Sequence, residues 1–231
     1  MSQSICTFVK DETTRAVLLK KKKDINEFEV SQVLDLEEKS TDEHSSVCRL
    51  QNGNLLCAFY GFFNICEISI HSKKGKKTVN AIELVKSHKA PAQIRYIAIG
   101  NPNGKELVFA SFNNNTVRSL EVNSEGLDDL GLVALKDPQQ VLWEPRLEQL
   151  LVVDWEYDTN AKKKLMNVKV ILVGQIRGQS GHASQKLKVH KTALSADRGV
   201  EIESWCWFGE KEILSFDRMK KNVFMLKLDG N

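Results

Sequence analysis

The 231-residue sequence lacks any hydrophobic run long enough to cross a membrane as a helix. A spanning helix needs about 18 to 20 predominantly apolar residues, and residues 1–12 also lack the apolar core of a signal peptide. These absences predict a protein without a membrane partner, located in the cytoplasm or the nucleus. The five cysteines fit that expectation, because an odd number in a reducing compartment is typical of free thiols.

A strong excess of charge of either sign is lacking as well. Lys and Arg number 33 against 30 for Asp and Glu, which leaves a formal net charge of +3. Dedicated nucleic-acid binders usually carry a clear basic excess, so this near balance argues against that class. The apolar share of 42% and the charged share of 27% indicate a folded globular chain and not a disordered one.

No segment has the 3.6-residue periodicity of an amphipathic helix, and short strand patterns repeat instead. One pattern is a polar residue, two aliphatic residues and a short apolar or mixed tail. Its four copies start at Asn54, Glu106, Gln149 and Glu212. After a turn, each copy is followed by a strand with apolar residues at its first, fourth and sixth places. These following strands start at Ile65, Val117, Val168 and Val223, 51 to 55 residues apart.

A further strand precedes each pair, and a weaker fourth strand follows it in three of the units. The repeating unit is therefore four short strands separated by turn residues, such as the strong hairpin signal of Asn52 and Gly53. Units of four strands at a period of about 45 to 55 residues are typical of β-propeller blades. One such sheet alone buries too little apolar surface, and stacking on its neighbours stabilises it.

On these patterns the chain resembles the WD-repeat and NHL-repeat propellers. Residues 114–122 (NNTVRSLEV) are similar to the third strand of a WD blade, and residues 137–155 are similar to the opening of an NHL blade. The Gly-His and Trp-Asp pairs of WD blades are absent, so the resemblance names the superfamily and no family within it. It implies an all-β chain, a β-propeller with about four to five four-stranded blades present.

We expect one propeller domain over residues 1–231 and an uneven set of blades. The blades are placed at residues 1–36 (partial), 45–86, 91–135, 138–195 and 200–231 (partial). They are predicted to hold three, four, four, four and three strands, which is not a whole number of four-stranded blades. This count predicts an incomplete propeller: the chain is the N-terminal portion of a longer one, or a partner supplies the strands that it lacks.

Two aromatic residues are candidates for partner binding. Phe62 and Phe63 lie in the segment Gly-Phe-Phe-Asn, which is predicted to be a tight turn outside the strands. Exposed aromatic side chains in a turn are typical anchors for a protein partner. The alternative is that both rings fold back over the edge of the blade.

Lysine clusters are the second set of candidates. Lys162, Lys163 and Lys164 occupy a turn equivalent to that of Lys220 and Lys221, between the second and third strands of a unit. Equivalent turns lie on one face of a propeller, where they would contact an acidic partner or a phosphate backbone. The alternative is a set of solvated turns that keep sheet edges from pairing.

Two further groups have plain structural explanations. Asp154 and Asp217 are at equivalent strand ends, where a carboxylate usually accepts hydrogen bonds from backbone N–H groups. The alternative is a carboxylate pair holding a Ca²⁺-like ion, as in lactonase-type propellers. Cys48, Cys57 and Cys66 are nine residues apart on successive strands, a spacing that favours buried small side chains over zinc ligands.

The sequence therefore predicts a non-catalytic interaction platform, or scaffold subunit, that binds a protein or peptide partner. It contains no recognisable catalytic or metal-ligating pattern, and no cofactor is expected. Two other functions remain open: an RNA- or DNA-binding propeller that uses the lysine turns, and a lactonase-like metal-dependent hydrolase.

Overall fold

The computed structural model describes the backbone of most of the chain. Side chains are described for residues 46–58, 61–67, 82–123, 126–160, 162, 165–174, 187–192, 205, 212–216, 220–223 and 225. The backbone gaps are residues 1–2, 11–12, 22–27, 40–44, 60, 74–75, 124–125, 161, 178–182, 197–201, 208–211, 218–219 and 228–231.

The described residues form eighteen β-strands and a single 3₁₀ turn at Pro102–Gly104. The strands of the first half are β1 (Gln3–Lys10), β2 (Thr13–Lys21), β3 (Phe28–Lys39), β4 (Ser45–Arg49), β5 (Leu55–Phe59), β6 (Phe62–Lys73), β7 (Lys76–Lys89), β8 (Ile94–Gly100) and β9 (Leu107–Phe112). Those of the second half are β10 (Thr116–Val122), β11 (Leu127–Ala134), β12 (Pro138–Glu144), β13 (Gln149–Asp158), β14 (Lys163–Arg177), β15 (Ala183–Ala196), β16 (Ile202–Trp207), β17 (Glu212–Asp217) and β18 (Asn222–Lys227).

The strands form five antiparallel sheets, and each strand pairs only with its neighbours along the chain. The sheets are β1–β3, β4–β7, β8–β11, β12–β15 and β16–β18, with three, four, four, four and three strands. This is the all-β arrangement and the strand count that the sequence repeat predicts. The chain divides into two compact units, residues 1–96 and residues 97–231.

In the second unit, neighbouring sheets pack against each other. Strand β12 contacts both β9 and β16, so the sheet β12–β15 lies between its two neighbours. A buried cluster joins Val153, Met166 and Val168 of this sheet to Trp205 and Ile213 of the next. Because strands between two sheets bury both faces, they read as continuous apolar runs in the sequence.

The contact between β9 and β12 depends on a glycine. The rings of Phe109 and Trp143 are stacked, with centroids 5.3 Å apart and an interplanar angle of 8°. Gly100, at the end of β8, lies against both rings, and a Cβ atom there would collide with Trp143. The glycine is therefore required by close packing between the two sheets.

In the first unit, the prediction that Phe62 and Phe63 lie in a turn outside the strands is wrong. Both belong to β6, and the ladder with β5 runs to the pair Phe59 and Phe62. Strand β7 pairs with the same two residues from the other side, so both belong to a strand that has a partner on each side. Phe63 is only 1% exposed, which removes it as an exposed partner anchor, and Phe62 is half-buried.

Candidate partner-binding site

The β13–β14 hairpin projects beyond the first strand of its own sheet. Strand β12 begins at Pro138, which is opposite Asp154 of β13. Strands β13 and β14 continue to pair as far as Asp158 and Lys163. Residues 155–158 therefore have a strand partner on the β14 side, while β12 does not reach them on the other side.

Asp154 holds the chain at this corner. It is 1% exposed, and its Oδ1 accepts hydrogen bonds from the backbone N–H groups of Lys136 (3.1 Å) and Asp137 (2.8 Å). The backbone N–H of Trp155 in turn donates to the carbonyl of Asp137 at 3.1 Å. The prediction that Asp154 accepts hydrogen bonds from backbone N–H groups is confirmed. The prediction that it lies at a strand end is wrong, because β13 continues to Asp158.

Two opposing effects act on the Asp154 carboxyl. Burial raises its pKa above the ordinary value of 3.8, and the hydrogen bond from Asp137 acts in the opposite direction. Burial wins, because removal from water disfavours the charged form more than the backbone donors favour it. Asp217 has the same backbone position, opposite Ile202 and Asn222, and its side chain lies outside the described residues.

Glu156, two residues further along β13, is also held by its neighbours. Its Oε2 accepts a hydrogen bond from Asn167 Nδ2 at 2.8 Å and lies 3.6 Å from Lys169 Nζ. Asn167 and Lys169 are both on β14, so these contacts tie the two strands of the hairpin together. The projecting segment is thereby fixed at Asp154 and again at Glu156.

An open groove of about 670 Å³ lies in this corner, lined by residues 136–137, residues 155–158 and Leu165. Trp155 packs against the buried cluster between the sheets, whereas the Tyr157 ring is 62% exposed. Because side chains alternate along a strand, Trp155 and Tyr157 share one face of β13, and Glu156 and Asp158 share the other. The groove thus joins an aromatic wall to a row of carboxylates.

Comparison with solved structures identifies the fold. Sqt1 of Chaetomium thermophilum superposes with a TM-score of 0.55 at 12% identity, over 96% of this chain and 68% of that one. A functionally unknown protein from Desulfotomaculum acetoxidans gives 0.50 at 14% identity, over 100% and 80%. The C-terminal WD40 domain of Sif2 gives 0.46 at 12% identity, over 98% and 70%.

The chain has a β-propeller fold. At these identities the likeness extends to the fold alone. No protein-family model matches the sequence, and no curated protein matches it. Within the part of the propeller that the structure describes, no helix is long and apolar enough to span a membrane.

Of the five lysines that the sequence places in turns, three lie there; the prediction is wrong for Lys163 and Lys164, because β14 begins at Lys163. Lys162 lies in the β13–β14 turn, and Lys220 and Lys221 lie in the equivalent β17–β18 turn; all three are exposed. Lys163 and Lys164 are the first two residues of β14, and their side chains lie outside the described residues. Both turns also share a backbone conformation. Each contains a lysine with a positive φ of 50°, Lys162 in the first turn and Lys221 in the second.

The cysteines of the β4–β7 sheet are free thiols, with Cys57 and Cys66 buried and Cys48 half-buried. Burial raises the pKa of Cys48 to about 12. A hydrogen bond with Cys66, followed by burial, raises the pKa of Cys57. Cys48 and Cys57 therefore stay protonated near neutral pH and behave as small apolar side chains. Among the described residues, no group of three or more His, Cys, Asp or Glu side chains is arranged to hold a metal ion.

The aromatic groove is not among the sites that the sequence patterns predict. One signal for it was present, because residues 154–158 (Asp-Trp-Glu-Tyr-Asp) alternate acidic and aromatic side chains immediately after a buried apolar strand. Because side chains alternate along a strand, this pattern places two aromatic rings on one face and the carboxylates on the other. Which side of that strand lacks a neighbour depends on where β12 begins, which the pattern does not show.

Proposed function

We propose that the propeller is a non-catalytic platform that binds a protein partner, and that the groove at residues 155–158 is its binding site. The observation that carries this proposal is the exposed Tyr157 ring on a backbone fixed by Asp154 and Glu156. Aromatic side chains on rigid supports are the usual energetic centres of protein interfaces. The cysteine composition favours a cytosolic or nuclear setting for this interaction.

The lysine turns extend the proposed surface. Lys162 is exposed at the tip of the same hairpin that carries Tyr157, so a partner in the groove would pass close to it. Lys220 and Lys221 occupy the equivalent turn of the β16–β18 sheet. We propose that these three lysines, with Lys163 and Lys164, make polar contacts at the rim, where charges affect association rate and specificity more than affinity.

Site-specific photo-cross-linking tests the proposal. Benzoyl-phenylalanine replaces Tyr157 in the full chain, and the control chain carries it at Leu147 in the β12–β13 turn. The two positions are matched in exposure, at 62% and 66%. After irradiation in extract of the source cells, we expect a nuclease-resistant protein adduct from position 157 that position 147 does not give.

The same experiment has two outcomes that contradict the proposal. Identical adducts from both positions would show that the groove has no preference over an ordinary exposed turn. An adduct that nuclease treatment removes would assign the surface to nucleic acid.

A nucleic-acid-binding function is the second candidate, and the exposed lysines at two equivalent turns favour it. Its test is a binding titration of a duplex oligonucleotide with the wild type and with Lys220→Gln/Lys221→Gln. If phosphates contact these side chains, the logarithmic salt slope falls by about two in the double variant, or roughly one for each lost contact. An unchanged slope would remove this candidate.

A further inference from the structure

On the groove side of β13, strand pairing with β12 ends at Asp154, and among the described residues no strand pairs with that side beyond it. Trp155 N–H donates to the carbonyl of Asp137, so it points to the side of β13 on which β12 lies. In an antiparallel ladder, the N–H and C=O groups of successive residues point to opposite sides, and residues two apart share a side. The N–H and C=O of Tyr157 therefore point into the groove, beyond the start of β12 at Pro138.

The two faces of this edge differ in chemistry. One face carries the rings of Trp155 and Tyr157. The other carries Glu156 and Asp158, with Leu165 of β14 directly opposite Glu156. Counting Asp137 and Lys136 as well, the lining has three carboxylates and one ammonium group, and Lys169 Nζ lies 3.6 Å from Glu156. Three carboxylates against two ammonium groups still favour positive charge in an occupant.

We propose that the groove binds an extended segment of a protein partner, which adds to the edge of β13 as a short antiparallel strand. This inference rests on the proposed function and names the chemistry of the partner. The segment hydrogen-bonds to the N–H and C=O of Tyr157. Because side chains of an added strand also alternate, apolar residues meet Trp155 and Tyr157, and Lys or Arg at the positions between them meet Glu156 and Asp158.

The backbone part of the inference is tested by amide hydrogen exchange at Tyr157 in the full chain. The probe is the acetylated and amidated peptide Val-Lys-Val-Lys-Val at saturating concentration. We expect the exchange of Tyr157 N–H to slow by about tenfold or more, because a hydrogen-bonded amide exchanges only after opening. The amide of Leu147, in the turn at the other end of β13, serves as the control and keeps its rate.

Backbone recognition is separated from side-chain recognition by two matched pairs. The same peptide N-methylated on alternate residues retains its side chains but loses backbone N–H donors. We expect that it no longer slows the exchange of the Tyr157 N–H. Tyr157→Ala and Tyr157→Pro both lose the ring, but only the proline variant also loses the N–H, a substitution that sheet edges tolerate. We expect Tyr157→Pro to bind the peptide more weakly than Tyr157→Ala does.

The charge part is tested by exchanging charges on both sides. The peptide Val-Glu-Val-Glu-Val should bind more weakly than the lysine peptide. The variant Glu156→Gln/Asp158→Asn should bind the lysine peptide with an affinity about three- to tenfold lower, as expected for the loss of two partly exposed ion pairs. It should leave binding of Val-Gln-Val-Gln-Val unchanged.

The results separate this inference from the proposed function. If none of the peptides protects Tyr157, or if the N-methylated peptide protects it equally, strand addition is wrong, even where position 157 cross-links to a protein. If the glutamate peptide binds as tightly as the lysine peptide, the preference for a basic segment is wrong. Protection by the peptide without any protein cross-link supports the strand edge and contradicts the proposed function alone.

Discussion

At the scale of single residues, equivalent positions in two second strands use different side chains to hold the chain. Asp154, within β13, accepts hydrogen bonds from the backbone N–H groups of Lys136 and Asp137, just before β12 begins. Ser111 at the corresponding position of β9 donates its hydroxyl to the carbonyl of Gln139 on β12, in the next sheet. A carboxylate can accept several hydrogen bonds at once, whereas a hydroxyl offers one donor, so Asp154 holds two backbone groups and Ser111 holds one.

The first prediction concerns removal of the Asp154 carboxylate. Asp154→Ala leaves the N–H groups of Lys136 and Asp137 without their acceptor, and we expect the free energy of unfolding to fall by about 1 to 3 kcal/mol. Asp154→Asn keeps one oxygen acceptor and should lose less. Denaturant unfolding at pH 7 measures both. Equal losses in the two variants would contradict the hydrogen-bonding explanation.

The second prediction is the pH dependence of the same residue. Because burial raises the pKa of Asp154 in the folded state above 3.8, the folded protein holds that proton more tightly than the unfolded chain. Its contribution to stability is complete below pH 3.8 and is lost as the pH rises through the folded-state pKa. The stability of the wild type relative to Asp154→Asn should therefore fall as the pH rises from 3.5 to 7, as followed by denaturant unfolding at each pH. A constant difference would contradict this.

The third prediction uses a matched pair of glycines. A methyl group at Gly100 would collide with Trp143 and lie 2.8 Å from Phe109, whereas one at Gly61 meets nothing within 4 Å. Gly100→Ala should lower the free energy of unfolding by about 1 to 3 kcal/mol through overpacking. Gly61→Ala should change it by less than about 0.5 kcal/mol. A similar effect at both positions would show that the stacked rings shift at no cost.

At the scale of elements, the turns between second and third strands share one backbone feature. Asn115 between β9 and β10, Lys162 between β13 and β14, and Lys221 between β17 and β18 all have a positive φ. Asn tolerates this conformation better than most residues do, and lysine pays the full steric cost. The two lysine turns are therefore locally strained where they meet solvent.

The fourth prediction follows from this strain. Lys162→Gly and Lys221→Gly should each raise the free energy of unfolding by about 0.5 to 1 kcal/mol, since glycine adopts a positive φ without steric cost. The adjacent Lys220 is not among the positive-φ residues, and Lys220→Gly should give no gain. Denaturant midpoints measure all three. A gain of equal size at Lys220 would mean that loss of charge, and not backbone strain, is responsible.

At the scale of the whole molecule, charge is balanced and the proposed contacts are short-ranged. The net charge of +3 arises from 33 basic and 30 acidic residues, so a long-range field makes little contribution to attracting a partner. The groove instead offers aromatic surface and backbone groups of one strand edge. Such contacts are screened only weakly by salt, in contrast to contacts with a phosphate backbone.

The fifth prediction is the salt response of partner binding by the complete chain. The yield of the protein adduct at position 157 should change by less than about threefold between roughly 50 and 200 mM salt, whereas a complex held by 6 to 10 phosphate contacts loses about 10³- to 10⁵-fold in affinity. Quantitative mass spectrometry of the adduct across this range gives the measurement. A loss of a hundredfold or more would favour the lysine turns over the groove.

Much of the fold and part of the site could be predicted from the sequence. The period of the strands predicts the sheets and their strand counts, and the hydrogen bonds of Asp154 to backbone N–H groups could also be predicted. Its position inside β13 could not, because β13 continues to Asp158. The position of Phe62 and Phe63 could not be predicted, because β6 gains three residues only through ladders with β5 and β7 on both sides. Local turn chemistry around Gly61 does not reveal those ladders.

The sequence by itself determined the alternation and spacing of the strands, because these depend on the local periodicity of side chains along an extended chain. Only the tertiary structure decided which strand edges are left open. The groove exists because β12 begins at Pro138 while β13 continues to Asp158. Such a difference in length between paired strands arises from long-range hydrogen bonding, and no short stretch of sequence contains it.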